Sequence, residues 1–472
     1  MLLFLPELII LISALILFLV SLGTPSEKTL RNIVLCLTGL LLLVTLTCIN
    51  NKGTLFFAAY QIDLYSQLFK LLIAAATFIV IVFSGNTPGI GQRIRAEYYM
   101  FLFTGLLGLM MLVSSVELLA IFISLELSSF ALYIMVPMRQ SSGAHDYHLE
   151  SGIKYLLFGV MATGFMLFGM SYLFGLTGST YLKDIIPSIS YLYNQPAAVT
   201  GIIMVMAGFF YKLGLFPFHF WVPDIYEGAA NETTSFVAAI PKLAAVALLI
   251  RLLAMVSVDG QILVNLLLLC SICSMFYGNL SALAQKDVKR ILGYSGISHA
   301  GFILFGLLTF NLEGYSNALY YTIGYAAMTL TCFLTICAAT PNGNNLKLED
   351  LKGLHGRSPL LALTFALGLF SLAGIPPFVG FTGKLMILIN AFKQGYVVPV
   401  ILAALNTAIA IYYYLSMVRL AYCSDDSKES VMVSDGWSNK SLALLLVLFI
   451  ITMGIFPTWF LDMAATVIGA TV

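Results

Sequence analysis

The sequence predicts an all-α polytopic membrane protein of about fourteen transmembrane helices, with two inverted five-helix repeats that each contain a broken helix. Three observations predict it. Of 472 residues, 60% are hydrophobic and only 10% charged, and the mean hydropathy is +0.97, whereas a soluble globular chain carries about 25% charged residues. The apolar residues gather into runs long enough to cross a bilayer, which takes about 20 residues. Prolines interrupt two of those runs at corresponding places. With 23 basic and 22 acidic residues the chain has no basic surface for nucleic acid. The loops left between spans are too short to hold a soluble catalytic domain.

The runs lie at 2–22, 30–49, 64–84, 97–115, 117–138, 150–176, 197–228, 233–256, 262–284, 291–311, 315–339, 358–392, 397–422 and 440–468. The first lacks the charged start of a signal peptide and is too long for one, so it reads as a span. The seventh and twelfth are too long for one crossing and contain prolines in the middle. GFFYKLGLFPFHFWVPDIYEGA breaks near Pro217 and again near Pro223, and FSLAGIPPFVGFTGKLMIL breaks at Pro376 and Pro377. Proline removes a backbone donor and clashes with the preceding turn. The carbonyls it frees survive at membrane depth only where protein or water satisfies them.

These breaks organise the chain. Residues 1–96 read as three N-terminal helices, 97–256 as a first five-helix repeat, 262–422 as a second, and 423–472 as a loop and a last span. Pro217 lies 120 residues after position 97, and Pro376 lies 114 after position 262, so the break falls in the fourth span of each repeat. Five is odd, so the second repeat enters from the opposite side. Matched broken helices in inverted repeats mark a transport site. Lysine and arginine set the orientation. With the N-terminus outside, cytoplasmic loops hold fourteen of them (Arg31, Arg93, Arg139, Lys289 and Lys428 among others) against four on the other face. Both termini are expected on the periplasmic side of a bacterial cytoplasmic (inner) membrane.

Five lysines remain in apolar surroundings, Lys70, Lys154, Lys212, Lys242 and Lys384, with one enclosed acid, Glu126 in AIFISLELSSFALYIM. Charges at mid-bilayer are costly and mark ion or proton paths. Structural readings stand beside that one. Lys70 suits a side chain snorkelling to the headgroups. Lys154, after Glu150, suits an interfacial anchor, and Glu126 with Lys212 suits a static ion pair. Lys212 ends the first half-helix, where the helix dipole favours a cation. Lys242 follows Pro241 with no polar neighbour in sequence, and Lys384 lies one or two turns beyond the second break. Among the histidines, His219 reads as packing and His299 as either a relay member or helix–helix glue. His145, His148 and His355 read as solvated loop residues.

Other chemistry is missing from the sequence. The seven cysteines lie in or at the ends of apolar runs, and Cys270–Cys273 has neither a second pair nor a histidine nearby, so no zinc or iron–sulfur site is expected. No phosphate-binding Walker loop and no dinucleotide fingerprint occur.

GFFYKLGLFPFHFWVPDIYEGA, the following PKLAAVALLIRLL, KDVKRILGYSGISHAGFIL and LAGIPPFVGFTGKLMIL closely resemble the signature segments of the antiporter-like subunits of respiratory complex I. The resemblance covers nearly the whole chain, and the motifs are shared with multi-subunit cation/proton antiporters. SGIKYLLFG, a lysine in the second broken helix, and an end after about fourteen spans favour the N type. The resemblance implies a proton-translocating subunit of a redox-driven NADH:quinone oxidoreductase. Glu126 would pair with Lys212, Lys242 would be the central relay lysine, Lys384 the link to the far side, and Lys154 the sixth-span lysine, with His299 alongside. It implies no cofactor in this chain; quinone, NADH, FMN and iron–sulfur clusters would be handled by other subunits. Its partners would be an M-type antiporter-like subunit, small K-, J-, A- and H-type subunits, the lipid bilayer and protons. A subunit of a Na⁺(K⁺)/H⁺ antiporter and a passive scaffold are the competing functions.

Overall fold

The computed structural model describes residues 2–23, 25–140, 147–253, 255–256, 260–423 and 436–470. Apolar periodicity, caps and prolines place the helices. They are α1 (Leu5–Ser21), α2 (Glu27–Thr47), α3 (Leu64–Ser84), α4 (Arg95–Ser114), α5 (Leu118–Met135), α6 (Tyr147–Thr177), the short α7 (Leu182–Ser190) and α8 (Pro196–Leu213). Then come α9 (Trp221–Gly228), α10 (Asn231–Leu253), α11 (Gln261–Ala282), α12 (Val288–Leu307), α13 (Leu312–Ala339) and α14 (Leu354–Arg357). The last are α15 (Pro359–Ala373), α16 (Val379–Lys393), α17 (Val397–Tyr422), α18 (Trp437–Ile455) and α19 (Pro457–Gly469). A small antiparallel hairpin, β1 (Gly53–Leu55) and β2 (Tyr60–Ile62), joins α2 to α3.

Eleven of the described helices are long and apolar enough to cross a membrane, and α1 and α15 are shorter apolar helices. The two predicted interruptions are real. α8 ends at Gly214 (φ +73°) before α9, and α15 ends at Gly374 (φ +85°) before α16. A side chain there would be strained, and glycine is the usual residue for such a left-handed cap. In both breaks the residue after the glycine donates back five residues: Leu215 to the Phe210 carbonyl at 2.8 Å, and Ile375 to the Phe370 carbonyl at 3.0 Å.

A third break corrects the sequence reading. The run at 440–468 is not one helix but two, α18 and α19, parted at Phe456. Pro457 has no N–H to continue the ladder. The carbonyls left over are satisfied from neighbouring helices, Met453 by the Tyr320 hydroxyl at 2.6 Å and Gly454 by the Thr382 hydroxyl at 3.1 Å.

α10 and α13 form the axis of the bundle; their apolar windows are 100% and 94% buried. α13 packs on α10, α12, α15, α16, α18 and α19, while α10 also meets α3, α4 and α8. Both broken helices therefore abut the central pair. Lipid-facing positions lie outside, on α1, α2, α6, α17 and α18, where Leu19, Leu43, Leu157, Val398 and Leu444 are exposed. The loop 424–435, with Lys428, and His145 lie outside the described residues.

Candidate functional site

Lys212 is the penultimate residue of α8, at the first break, and is 2% exposed. Its Nζ donates to Ser128 Oγ at 2.9 Å and Ser129 Oγ at 3.0 Å, both on α5. α5 reaches this position because it lies close against α4, where Gly108 faces its backbone around Ser124 and Ser128. Glu126 is two to three residues back along α5. One of its carboxylate oxygens is buried without a hydrogen-bond partner, and Lys212 is its charged neighbour, but the two form no ion pair. The expected Glu126–Lys212 ion pair is not formed; the ammonium is seated on the two serine hydroxyls instead.

Lys242, at mid-length of α10, donates to the Tyr325 hydroxyl at 3.0 Å and the Gly296 carbonyl at 3.2 Å, and its ammonium lies 4.9 Å from the Tyr325 ring centre. His299, one turn along α12 from Gly296, is held at both ring nitrogens. Nδ1 meets the Tyr321 hydroxyl at 2.5 Å and Nε2 the Tyr414 hydroxyl at 3.1 Å. Its imidazole packs 5.1 Å from the Tyr325 ring, and the cations that act on it are Lys384 and Lys242. His299 therefore stands between the two lysines. Lys384, on α16, folds back onto the break, donating to the Leu372 carbonyl at 3.0 Å and the Ala373 carbonyl at 3.4 Å. These are two of the carbonyls that the end of α15 leaves without an N–H. Phe302 covers the ammonium at 5.3 Å.

Lys212, Lys242 and Lys384 share one property. Each is at least 95% buried, and among the described residues none of them lies in an ion pair. Their partners are neutral hydroxyls and carbonyls. The Tyr325, Tyr321 and Tyr414 hydroxyls and the His299 imidazole, on α12, α13 and α17, gather near Lys242 of α10 and Lys384 of α16.

The other expected residues fall elsewhere. Lys154 is half-exposed and paired with Asp224 at 2.8 Å and Glu150 at 2.7 Å, in a network that continues through Arg290 to Glu227. Asp287, which caps α12 beside this network, has its carboxyl pushed up by burial, with Lys289 pulling it partly back. Lys70 does not snorkel. It is fully buried and bound to Glu7 of α1 at 2.6 Å, because the β1–β2 hairpin folds over it and Tyr60 also donates to Glu7, at 2.6 Å. His219 lies in the first break as a packing residue, stacked on Phe216, tilted against Phe220 and edge-on to Tyr277; neither ring nitrogen has a hydrogen-bond partner.

Sequence reasoning missed Ser128, Ser129, Tyr321, Tyr325, Tyr414 and Glu7. A signal existed for two of them: Tyr321 and Tyr325 are four apart in an apolar run, so they share one face of α13.

Similarity to known proteins bears on the family and the fold. Residues 115–412 match the family described as NADH:quinone oxidoreductase/Mrp antiporter, transmembrane. A protein named NADH-quinone oxidoreductase subunit N 2, from Opitutus terrae, is 44% identical over 97% of this chain and 96% of its own. NADH-quinone oxidoreductase subunit N from Nitrosomonas europaea is 35% identical over 86% of this chain and 84% of its own. A chain of respiratory complex I from Thermus thermophilus has a TM-score of 0.82 at 27% identity, covering 97% of this chain and 98% of that one. A chain of an Mrp complex from a Dietzia species has a TM-score of 0.84 at 18% identity, covering 98% and 96%, a likeness of fold alone. The chain belongs to the NADH:quinone oxidoreductase/Mrp antiporter family, and within it to the subunit N group of NADH-quinone oxidoreductase, a multi-pass membrane subunit of a multi-subunit redox enzyme.

Proposed function

We propose that this chain translocates protons as part of its complex, through Glu126, Lys212, Lys242, His299 and Lys384, with quinone reduction as the driving reaction. The observation that supports it is the set of buried lysines seated on neutral groups. An acid partner offsets the desolvation of a structural lysine at this depth. Fully buried Lys70 has one, whereas the three relay lysines do not. Lysine can give up its proton and arginine effectively cannot. Serine, tyrosine and histidine side chains both donate and accept, so they can pass a proton between lysines.

On this reading residues 97–256 and 262–422 are the two repeats, and each contributes a half-channel. Lys154 is a positioning residue that anchors α6 to α9 through Asp224, next to the path rather than in it. The chain sits in the bacterial inner membrane with its lysine-rich loops cytoplasmic, flanked by an M-type subunit and small K-, J-, A- and H-type subunits. NADH, FMN, iron–sulfur clusters and quinone are handled by the rest of the complex.

The test is Lys242→Arg in the assembled complex, with proton uptake by inverted vesicles measured beside electron transfer from NADH to quinone. The charge stays, but the exchangeable proton is lost, so protons moved per electron should fall. A normal ratio would make Lys242 an electrostatic fixture and overturn the relay. Proton movement that requires added Na⁺ or K⁺ and no electron donor would identify an antiporter instead.

A further inference from the structure

A cavity of about 320 Å³ lies on the lysine- and arginine-rich face, away from the relay. Its walls come from the start of α2, the α3–α4 connection, the first turn of α10, the end of α13 and the start of α18; Arg31, Asn86, Asn231, Cys337 and Ser438 line it. All five segments belong to the face the charge bias assigns to the cytoplasm. The volume holds several waters, each of which occupies about 30 Å³ in the liquid.

One further wall residue is a buried acid, Glu232, which is 2% exposed. Its Oε1 accepts from the Gly89 N–H at 3.2 Å, and its Oε2 is buried with no hydrogen-bond partner. The nearby cations do not pair with it. Lys289 donates to the Ala229 carbonyl at 2.7 Å, and Arg139 donates to the Glu227 carbonyl at 3.0 Å and the Gly343 carbonyl at 3.1 Å. A carboxylate oxygen in the wall also disfavours a phosphate or other anion as the cavity's occupant, despite Arg31. A lining of this mixed polarity suits water.

Glu232 and Lys242 share α10 and are ten residues apart, about 15 Å along the helix. Toward Lys242 the Tyr226 hydroxyl is another buried polar group without a partner. The Tyr226 hydroxyl, the Tyr325 hydroxyl and Lys242 Nζ all lie within 4 Å of the point a Cβ on Gly296 would occupy, so the inner end of the route borders the relay.

We infer that Glu232 is the loading group of this chain, taking protons from water in the cavity and delivering them to Lys242 by way of Tyr226 and Tyr325. This rests on the relay proposed above. In the step, a proton leaves cavity water for Glu232 Oε2, forming an O–H bond. It then moves through the tyrosine hydroxyls to a neutral Lys242 amine, forming an N–H bond and restoring the carboxylate. No other bond changes.

The experiment uses the assembled complex in inverted vesicles. Glu232→Gln keeps the acceptor for Gly89 and removes the proton site, so it should slow coupled proton uptake on the order of tenfold or more, and Glu232→Asp should recover part of the rate. Asn86→Cys, at the exposed rim, should react with a membrane-impermeant bulky maleimide from the cytoplasmic face, and the label should slow uptake in the same way. If Glu232→Gln and the labelled Asn86→Cys complex both pump at the parental rate while Lys242→Arg fails, the loading site is wrong and the relay stands. If Lys242→Arg pumps normally, the relay falls first. Should Glu232→Gln fail to assemble, the labelled Asn86→Cys complex decides alone. Labelling only from the opposite face would overturn the assignment.

Discussion

The seat of Lys212 depends on a helix contact that a single methyl group should disturb. Gly108 of α4 faces α5 so closely that a Cβ placed there would stand 2.5 Å from the Ser128 amide nitrogen, 2.8 Å from the Ser124 carbonyl oxygen and 3.0 Å from Ser128 Cα. All three are backbone atoms, so no side chain can swing aside. Relieving the worst contact to an ordinary 3.4 Å takes a shift of about 0.9 Å from 2.5 Å. Lys212 Nζ is 2.9 Å from Ser128 Oγ, and a displacement of that size carries the hydroxyl out of hydrogen-bond range unless the lysine follows it. Overpacking of this kind costs about 1–3 kcal/mol. Gly108→Ala should therefore lower the melting temperature of the solubilised complex and reduce protons moved per electron. Gly164→Ala is the control, since a Cβ there meets nothing within 4 Å. An unchanged melting temperature and an unchanged proton-to-electron ratio for Gly108→Ala would refute the reasoning.

Two further outcomes follow from the same geometry. Lys70→Ala strands Glu7 in a fully buried site and should cost about 3–5 kcal/mol; the double variant Lys70→Met with Glu7→Leu should melt well above the single one, and additive losses would show that the pair is not coupled. Gly374→Ala puts a side chain at φ +85° and 3.3 Å from Lys384 Cδ, so it should cost on the order of 1–3 kcal/mol and slow pumping more than it slows assembly, measured by subunit content against proton uptake in the same membranes.

The breaks were legible in the sequence because their cause is local. Proline and glycine fix backbone geometry wherever they stand, and the reader needs only Gly214 with Pro217 and Gly374 with Pro376. Pro457 carries the same signal, masked by an apolar run that continues unbroken through it. The lysines were legible as residues out of place, but their partners were not. Lys242 meets Tyr325 across 83 positions, and Lys70 meets Glu7 across 63. Snorkelling is a fair expectation for a lysine near a helix end; it failed because a two-stranded hairpin covers that end and an acid from α1 reaches beneath it. Ser128 and Ser129 look like any serines until two helices bring their hydroxyls to the Lys212 ammonium.

The burial of α10 also constrains how the chain enters the membrane. In the finished bundle this helix touches no lipid, yet α12 and α13, which supply the Gly296 carbonyl and the Tyr325 hydroxyl for Lys242, are translated later. The end of α13, Ala339, follows the end of α10, Leu253, by 86 residues, an interval of about 4–17 s at ordinary synthesis rates. For that time α10 must reside in the bilayer or at the insertion machinery with an unsolvated ammonium and a carboxyl on its surface. Its most apolar stretch has a mean hydropathy of 2.1, level with the highest of the long helices, although it lies wholly inside the bundle. That apolarity is explained by this passage: the helix has to be a competent membrane span first, and only afterwards the interior of a protein.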